Sequence, residues 1–159
     1  MEICVFDVDG VLFDVSERYN RALSEDPSVG RRFWKIFFSE ELLELDKPNP
    51  VGVENLRKCL QRGLSVYIVS GRPERLRDAT LNQLREIDID VGRIRLILRD
   101  DRDLRKSFAF KLDIVKRLLK KYVIREIHDD DLEFLKRVRE VLPSETTLYH
   151  YEKDLVRTL

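Results

Sequence analysis

The chain has little of what marks several common protein classes. Among its 159 residues are two cysteines, one methionine and one tryptophan. Cys4 falls in an apolar strand pattern and Cys59 in a helical one, with no spacing that suggests zinc or redox chemistry, so both read as small core residues. No charge of one sign is in excess either, since 30 Lys plus Arg balance 30 Asp plus Glu. Without a net field, any attraction for anions has to come from local clustering. No apolar run approaches the roughly 18 residues needed to span a bilayer, and the first residues run straight into a strand pattern, without the basic stretch and apolar core of a signal peptide. The expectation is a cytoplasmic chain of one domain, 1–159, with no membrane partner.

What is abundant is charge, at 38% of residues against about 25% in ordinary domains, while Gln, Asn, Met and Cys are scarce. That balance is the one found in proteins built for heat, and a thermophilic source is expected. Short runs rich in Val and Ile alternate with longer segments of helical periodicity. The runs are Ile3–Phe6, Leu64–Val69, Ile94–Leu98, Val123–Ile127 and Thr147–Tyr149. Such an alternation predicts an α/β fold, a doubly wound parallel sheet with helices on both faces. Asn49-Pro50 supplies a cap and first-turn proline for one helix, which Gly63 closes. Segment 15–47 carries helical stretches, about Ser16–Leu23 and Arg31–Leu45, with Phe33, Trp34, Phe37 and Phe38, and reads as a small helical insertion or minimal cap. Tyr151–Leu159 reads as a charged tail.

Ligands of open parallel sheets bind at the carboxyl ends of the strands, so the residues there carry the information. They are Asp7-Val8-Asp9-Gly10, Ser70-Gly71-Arg72, Arg99-Asp100-Asp101 and Asp129-Asp130-Asp131. A carboxylate can attack phosphorus once a hard dication neutralises the charge on both, and Mg²⁺ needs only one or two carboxylates of the protein to bind. Asp129–Asp131 also suits the start of a helix, whose dipole favours acids. Winding Phe108–Tyr122 at the helical period places Lys111 on the apolar face with Phe108, Leu112, Val115, Leu118, Leu119 and Tyr122, and leaves Lys116, Lys120 and Lys121 outside it. A cation on that face is costly unless buried anions meet it. Ser70-Gly71-Arg72-Pro73 reads as the end of a strand and the opening of a helix, where a hydroxyl and free N–H groups can hold a phosphate oxygen.

These four elements, in this order, resemble the motifs of the haloacid dehalogenase (HAD) superfamily. The resemblance implies that Asp7 is a nucleophile forming an aspartyl-phosphate, that Asp9 is the acid and base, and that Ser70 and Lys111 hold the transferring phosphoryl group. It implies an Mg²⁺ site made by Asp7, Asp9 through its carbonyl, Asp129 and Asp130. A narrower resemblance, to the 3′-phosphatase domain of polynucleotide kinase, rests on Asn49-Pro50, on Val69–Pro73 with Thr80, and on the series Arg99, Asp103, Arg105, Lys111. It implies Gly71 and Arg72 as substrate contacts, and Arg99 and Arg105 as substrate-phosphate or loop-ordering contacts. Gln83-Leu84 stands where that domain has an aromatic residue, and no G-x-x-x-x-G-K-[ST] loop of a kinase half occurs. The expected activity is hydrolysis of a phosphomonoester, with a nucleotide or polynucleotide 3′-phosphate as the first choice of substrate. The competing reading is a phosphate- or nucleotide-binding module without turnover.

Overall fold

The structure is a computed structural model, and it describes residues 1–153 and 155–159. Five parallel strands and one antiparallel edge strand form the main sheet. In chain order they are β1 (Glu2–Phe6), β4 (Ser65–Pro73), β5 (Ile94–Arg99), β6 (Val123–Asp129), β7 (Thr147–Glu152) and β8 (Leu155–Thr158). Their spatial order is β5-β4-β1-β6-β7-β8, so β1, where the chain begins, lies inside the sheet and is buried from Ile3 to Phe6. Alternate residues of β1 feed two cores. Cys4 and Phe6 pack with Leu56, Cys59 and Leu84 from α3 (Pro50–Gln61) and α4 (Arg77–Glu86), while Ile3 and Val5 pack with Val115, Leu118, Phe134 and Val138 from α5 (Ser107–Leu119) and α6 (Leu132–Arg139). Helices thus cover both faces of a mostly parallel sheet, which is the α/β architecture the apolar runs predict.

Segment 155–158 departs from the sequence reading. In place of a charged tail, the chain turns after Glu152 and pairs β8 antiparallel to β7, Tyr149 opposite Thr158 and Tyr151 opposite Val156. Val156 packs against the core while Leu155, Arg157 and Thr158 face solvent. A strand with one inward residue has no apolar run to announce it.

The helical insertion leaves and re-enters the sheet domain through a two-stranded ribbon, β2 (Phe13–Asp14) against β3 (Lys47–Pro48). Between them lie α1 (Ser16–Glu25), α2 (Arg31–Phe37) and a 3₁₀ turn at Glu40–Leu45. The expected helix Arg31–Leu45 therefore breaks at Phe38. Arg18 Nη1 donates to the carbonyl of Phe37 and Arg75 Nη1 to that of Phe38, so two carbonyls that would carry the helix onward are taken by arginines. The lid has its own small core of Ala22, Phe33 and Phe37.

Candidate active site

The site is built where β1, β4 and β6 end together. Asp7 follows β1, and its backbone N–H donates to the carbonyl of His128 on β6, which fixes the two strand ends side by side. Its Oδ1 accepts from the N–H of Val8 at 2.8 Å, and its Oδ2 faces Lys111 Nζ at 3.0 Å. Gly10 then turns the chain with φ +81°, where a side chain would be strained and a Cβ would stand 2.2 Å from Asp130 Oδ2. That turn is held from below by α3, whose Gly52 comes so close that a Cβ would meet the carbonyl of Val11. Asn49 does not cap α3 with its side chain. Its Nδ2 donates to the same Val11 carbonyl, clamping the turn to the start of the helix.

Lys111 enters from the first turns of α5 and is buried. Its ammonium contacts Asp7 Oδ2 and both oxygens of Asp129, all at 3.0–3.1 Å. Burial alone would favour its neutral form, yet Asp129, Asp7 and Asp130 together keep it charged and raise its pKa. The acids, for their part, outnumber it. Asp7 is raised well above the carboxylate range by burial and by the charges of Asp129, Asp130 and Asp9. Asp130, whose residue reaches solvent, is pushed up to about 7 by the loss of water around its carboxylate and then by Asp129. Ligand oxygens of Asp7, Asp129 and Asp130 lie within 4.8 Å of one another. Three carboxylates facing one ammonium leave surplus negative charge among hard oxygen donors, and a dication of the Mg²⁺ class fits that donor set. Asp131, next in line, accepts from Phe134 N–H and caps α6, so the acidic run both starts a helix and faces the cleft.

The second strand end differs from its expected form. β4 runs on through Pro73, a 3₁₀ turn follows at Glu74–Leu76, and the helix opens only at Arg77. Pairing with β5 jumps from Val69–Ile97 to Pro73–Arg99, so Ser70, Gly71 and Arg72 leave the ladder there. Ser70 Oγ accepts from the N–H of Arg72 at 3.1 Å, and Ser70 and Gly71 line the cleft. Arg72 turns inward and is 0% exposed. Its guanidinium donates to Asp9 Oδ1 through Nε at 3.1 Å and Nη2 at 2.7 Å, and to Thr80, Gln83 and Asp46. Thus Arg72 serves Asp9, and its side-chain donors are engaged within the protein.

A second guanidinium completes this arrangement. Arg18 of α1, also 0% exposed, donates to Asp9 Oδ1 at 2.8 Å and to both oxygens of Asp46. Although burial works against ionisation, Arg72 and Arg18 hold the Asp9 pKa down to about 2. Arg18 and Asp46 carry no motif, yet Arg18 stands one helical turn before the buried Ala22, the signal that singles out Lys111. Asp46 lies in the extended segment after the 3₁₀ turn, where no periodicity marks it.

Above these residues opens a cavity of about 1000 Å³, with Asp7, Asp9, Ser70, Lys111 and Asp130 in its wall. The lid contributes Tyr19, Trp34, Phe37 and Phe38, Arg75 reaches the lid at the Phe38 carbonyl, and Arg99, Arg105 and Lys106 line the cavity from the loop between β5 and α5. Arg99 is tied to the backbone, Nε to Gly71 O at 3.2 Å and Nη1 to Arg105 O at 2.6 Å, while Arg105 forks onto Asp103. The two arginines therefore line the cavity while ordering the loop between β5 and α5.

Residues 1–147 match the family described as HAD superfamily, subfamily IIIB (acid phosphatase). The chain belongs to that family. The same fold is found in several solved structures. One from the Pnkp1/Rnl/Hen1 complex has TM-score 0.65 at 23% identity and covers 95% of this chain but 47% of that one. The class C acid phosphatase from Bacillus anthracis with tungstate bound has TM-score 0.64 at 17% identity, over 96% of this chain and 66% of that one. A hydrolase from Pseudomonas syringae has TM-score 0.59 at 17% identity, over 93% and 82%. The chain thus spans about half the length of the Pnkp1 structure it resembles. Comparison with curated proteins gives no match. Among the described residues no helix is long and apolar enough to cross a membrane.

Proposed function

We propose that this member of the HAD IIIB family is a phosphoric monoester hydrolase that depends on Mg²⁺, works through an aspartyl-phosphate on Asp7, and acts on the terminal phosphate of a nucleotide or polynucleotide. The observation that carries the chemistry is the approach of Asp7, Lys111 and Asp129 to one another at the floor of the cavity. Asp7 forms an O–P bond as the ester P–O bond breaks, and a proton reaches the leaving oxygen from solvent through Asp9, which is itself ionised in the free site. Water then attacks the same phosphorus and loses its proton to Asp9, releasing phosphate and the Asp7 carboxylate. Lys111 and the Ser70 hydroxyl hold phosphoryl oxygens. A magnesium ion held by Asp7, Asp129, Asp130 and the Asp9 carbonyl would supply charge neutralisation. The raised pKa of Asp7 supports this, because a carboxylate so crowded by acids needs a cation to stay ionised.

The cavity walls support the substrate class. Tyr19 and Trp34 are 42% and 46% exposed and line the cavity with aromatic rings, while Arg75, Arg99, Arg105 and Lys106 bring positive charge to the same cavity. Aromatic faces that stack bases, beside a basic rim that follows phosphates, make a site for a nucleic-acid end.

The test is release of phosphate from 3′-phosphorylated oligonucleotides, nucleotides, sugar phosphates and phosphopeptides, with and without Mg²⁺. Acid quenching with labelled substrate should trap label on the wild type and none on Asp7→Asn. Equal turnover by Asp7→Asn would remove the nucleophile, and a preference for sugar phosphates would remove the substrate class.

A further inference from the structure

Cys4 and Cys59, which nothing in their spacing connects, meet in the fold. Cys4 on β1 lies opposite Glu126 on β6 in the parallel ladder, so their side chains share the sheet face that α3 covers. Cys59 comes down from α3 onto the same spot, and its Sγ lies 3.4 Å from Glu126 Oε1. Ligand atoms of Cys4, Cys59 and Glu126 lie within 4.8 Å of one another. His128, two residues along β6 and therefore on the same face, brings Nε2 to 2.9 Å from that same Oε1. These groups lie on the opposite face of the sheet from Lys111 and play no part in the phosphatase chemistry.

We infer that Cys4, Cys59, Glu126 and His128 form a second metal site, thiolate-rich and tetrahedral, suited to Zn²⁺. Two sulfurs and an imidazole select a borderline-soft ion over Mg²⁺, which the acidic cluster beyond the strand ends is suited to hold. Tetrahedral ligands about 2.0–2.3 Å from an ion stand roughly 3.3–3.8 Å apart, so the two sulfurs and the Glu126 oxygen need close by only about 1 Å. His128, which touches Glu126 Oε1 but lies outside that group of three, swings in from further away.

The surroundings match the charge. With both thiols deprotonated, the two thiolates and Glu126 carry three negative charges, which a dication and the guanidinium of Arg62 balance. Arg62 Nη1 donates to the other carboxylate oxygen, Oε2, at 2.7 Å and leaves Oε1 turned to the thiol. The imidazole has the outer partner that a ligating histidine needs, because Nδ1 lies 2.8 Å from the Tyr151 hydroxyl, itself fixed by Asn55. Entry is short, since the Arg62 side chain is 53% exposed and Glu126 beneath it 12%. Binding displaces the two thiol protons to solvent and changes no oxidation state.

The experiment is titration of the reduced, chelator-stripped full chain with Co²⁺, a spectroscopic stand-in for zinc. We expect a thiolate-to-cobalt charge-transfer band and tetrahedral d–d bands that saturate at one equivalent and vanish when Zn²⁺ is added. Both should be lost in Cys59→Ser and in Cys4→Ala, and persist in Asp129→Asn, which separates this site from the acidic cluster. Cys59→Ser should still hydrolyse an aryl phosphate in Mg²⁺ at the wild-type rate. If either cysteine variant does not fold, Glu126→Gln serves, with at least tenfold weaker cobalt binding expected. Absence of a thiolate band in folded wild type, survival of the band in Cys59→Ser, or a Cys4–Cys59 disulfide in the freshly purified chain would each overturn the site.

Discussion

Arg72 Nη2 sits 2.7 Å from Asp9 Oδ1, and the guanidinium that makes this contact has no exposure to solvent. The second motif thus sends its cation to Asp9, the residue proposed above as acid and base, and Arg18 reaches the same oxygen from the lid. Replacing Arg72 by Ala leaves Asp9 and Asp46 with one guanidinium between them. Breaking a buried pair on one side costs about 3–5 kcal/mol, so the melting midpoint should drop by roughly 6–20 °C at about 2–4 °C per kcal/mol for a chain near this size. Loss of orientation should lower kcat by about 100-fold. The distinctive readout is the acid limb of the pH–rate profile, which should move upward as the Asp9 pKa rises from about 2.

A carboxylate with a pKa near 2 is well placed to take a proton from water and badly placed to donate one at neutral pH. Donation matters least when the leaving oxygen is a stable phenolate. Asp9→Asn should therefore still phosphorylate Asp7 from an aryl phosphate while losing the hydrolysis of the intermediate. Rapid-quench measurements should show a burst of phenolate near one equivalent followed by slow turnover, whereas an alkyl phosphate gives no burst. Equal losses on the two substrates would show that Asp9 does not protonate the leaving oxygen.

Lys111 separates Asp7 from Asp129 and is the only cation whose hydrogen bonds to Asp7 are recorded among the described residues. Lys111→Met should destabilise the metal-free chain by about 3–5 kcal/mol, because two buried carboxylates lose their shared partner. Mg²⁺ should restore much of that loss, and a thermal melt with and without the ion measures both. Saturation at 100 times Kd would return about 2.7 kcal/mol. A variant whose melt ignores Mg²⁺ would argue against the acidic cluster as the ion's site.

How much of this was legible beforehand depends on how each residue announces itself. Buried parallel strands are continuous apolar runs, so β1, β4, β5, β6 and β7 stand out, and the acids at their ends follow from where those runs stop. Lys111 is visible because a lone lysine interrupts an apolar helix face. Arg18 is harder to see, since α1 is a polar helix whose buried face is little more than Ala22. Asp46 was out of reach. Its role depends on two arginines, 28 and 26 residues away in the chain, and no local pattern encodes that. Taken singly in the sequence the cysteines look like packing residues, because their meeting depends on the register of β1 with β6 and the docking of α3.

Acid stability should report on Glu126. A hydrogen bond with His128, with a smaller share from Arg62, outweighs burial and lowers its pKa from 4.5 to about 2. Between those two values the unfolded chain binds the proton and the folded chain does not, so stability rises with pH there. The contribution is complete above the unfolded pKa and is lost as pH falls toward about 2. In a chelator, Glu126→Gln should flatten the dependence of melting temperature on pH across that window and change little near pH 7. A slope equal to that of the wild type would assign the acid limb to other carboxylates.

The lid makes a prediction of its own. Trp34 packs edge-on against Phe33 at 4.9 Å and stacks with Phe38 at 5.7 Å, yet 46% of it faces solvent at the cavity. An aromatic ring held by its neighbours and left open on one side is suited to stack a base at little entropic cost. Each such contact is worth about 1–3 kcal/mol, so Trp34→Ala should raise KM for a 3′-phosphorylated oligonucleotide by roughly 5- to 150-fold. An aryl phosphate, which carries no base to stack, should keep its kcat and KM. If both substrates suffer alike, the residue supports the lid's packing and does not read the substrate. Lys106 separates the cases further, because Lys106→Gln removes charge from the cavity wall while leaving the lid and its aromatic rings, and should weaken the oligonucleotide in a salt-dependent way that Trp34→Ala does not share.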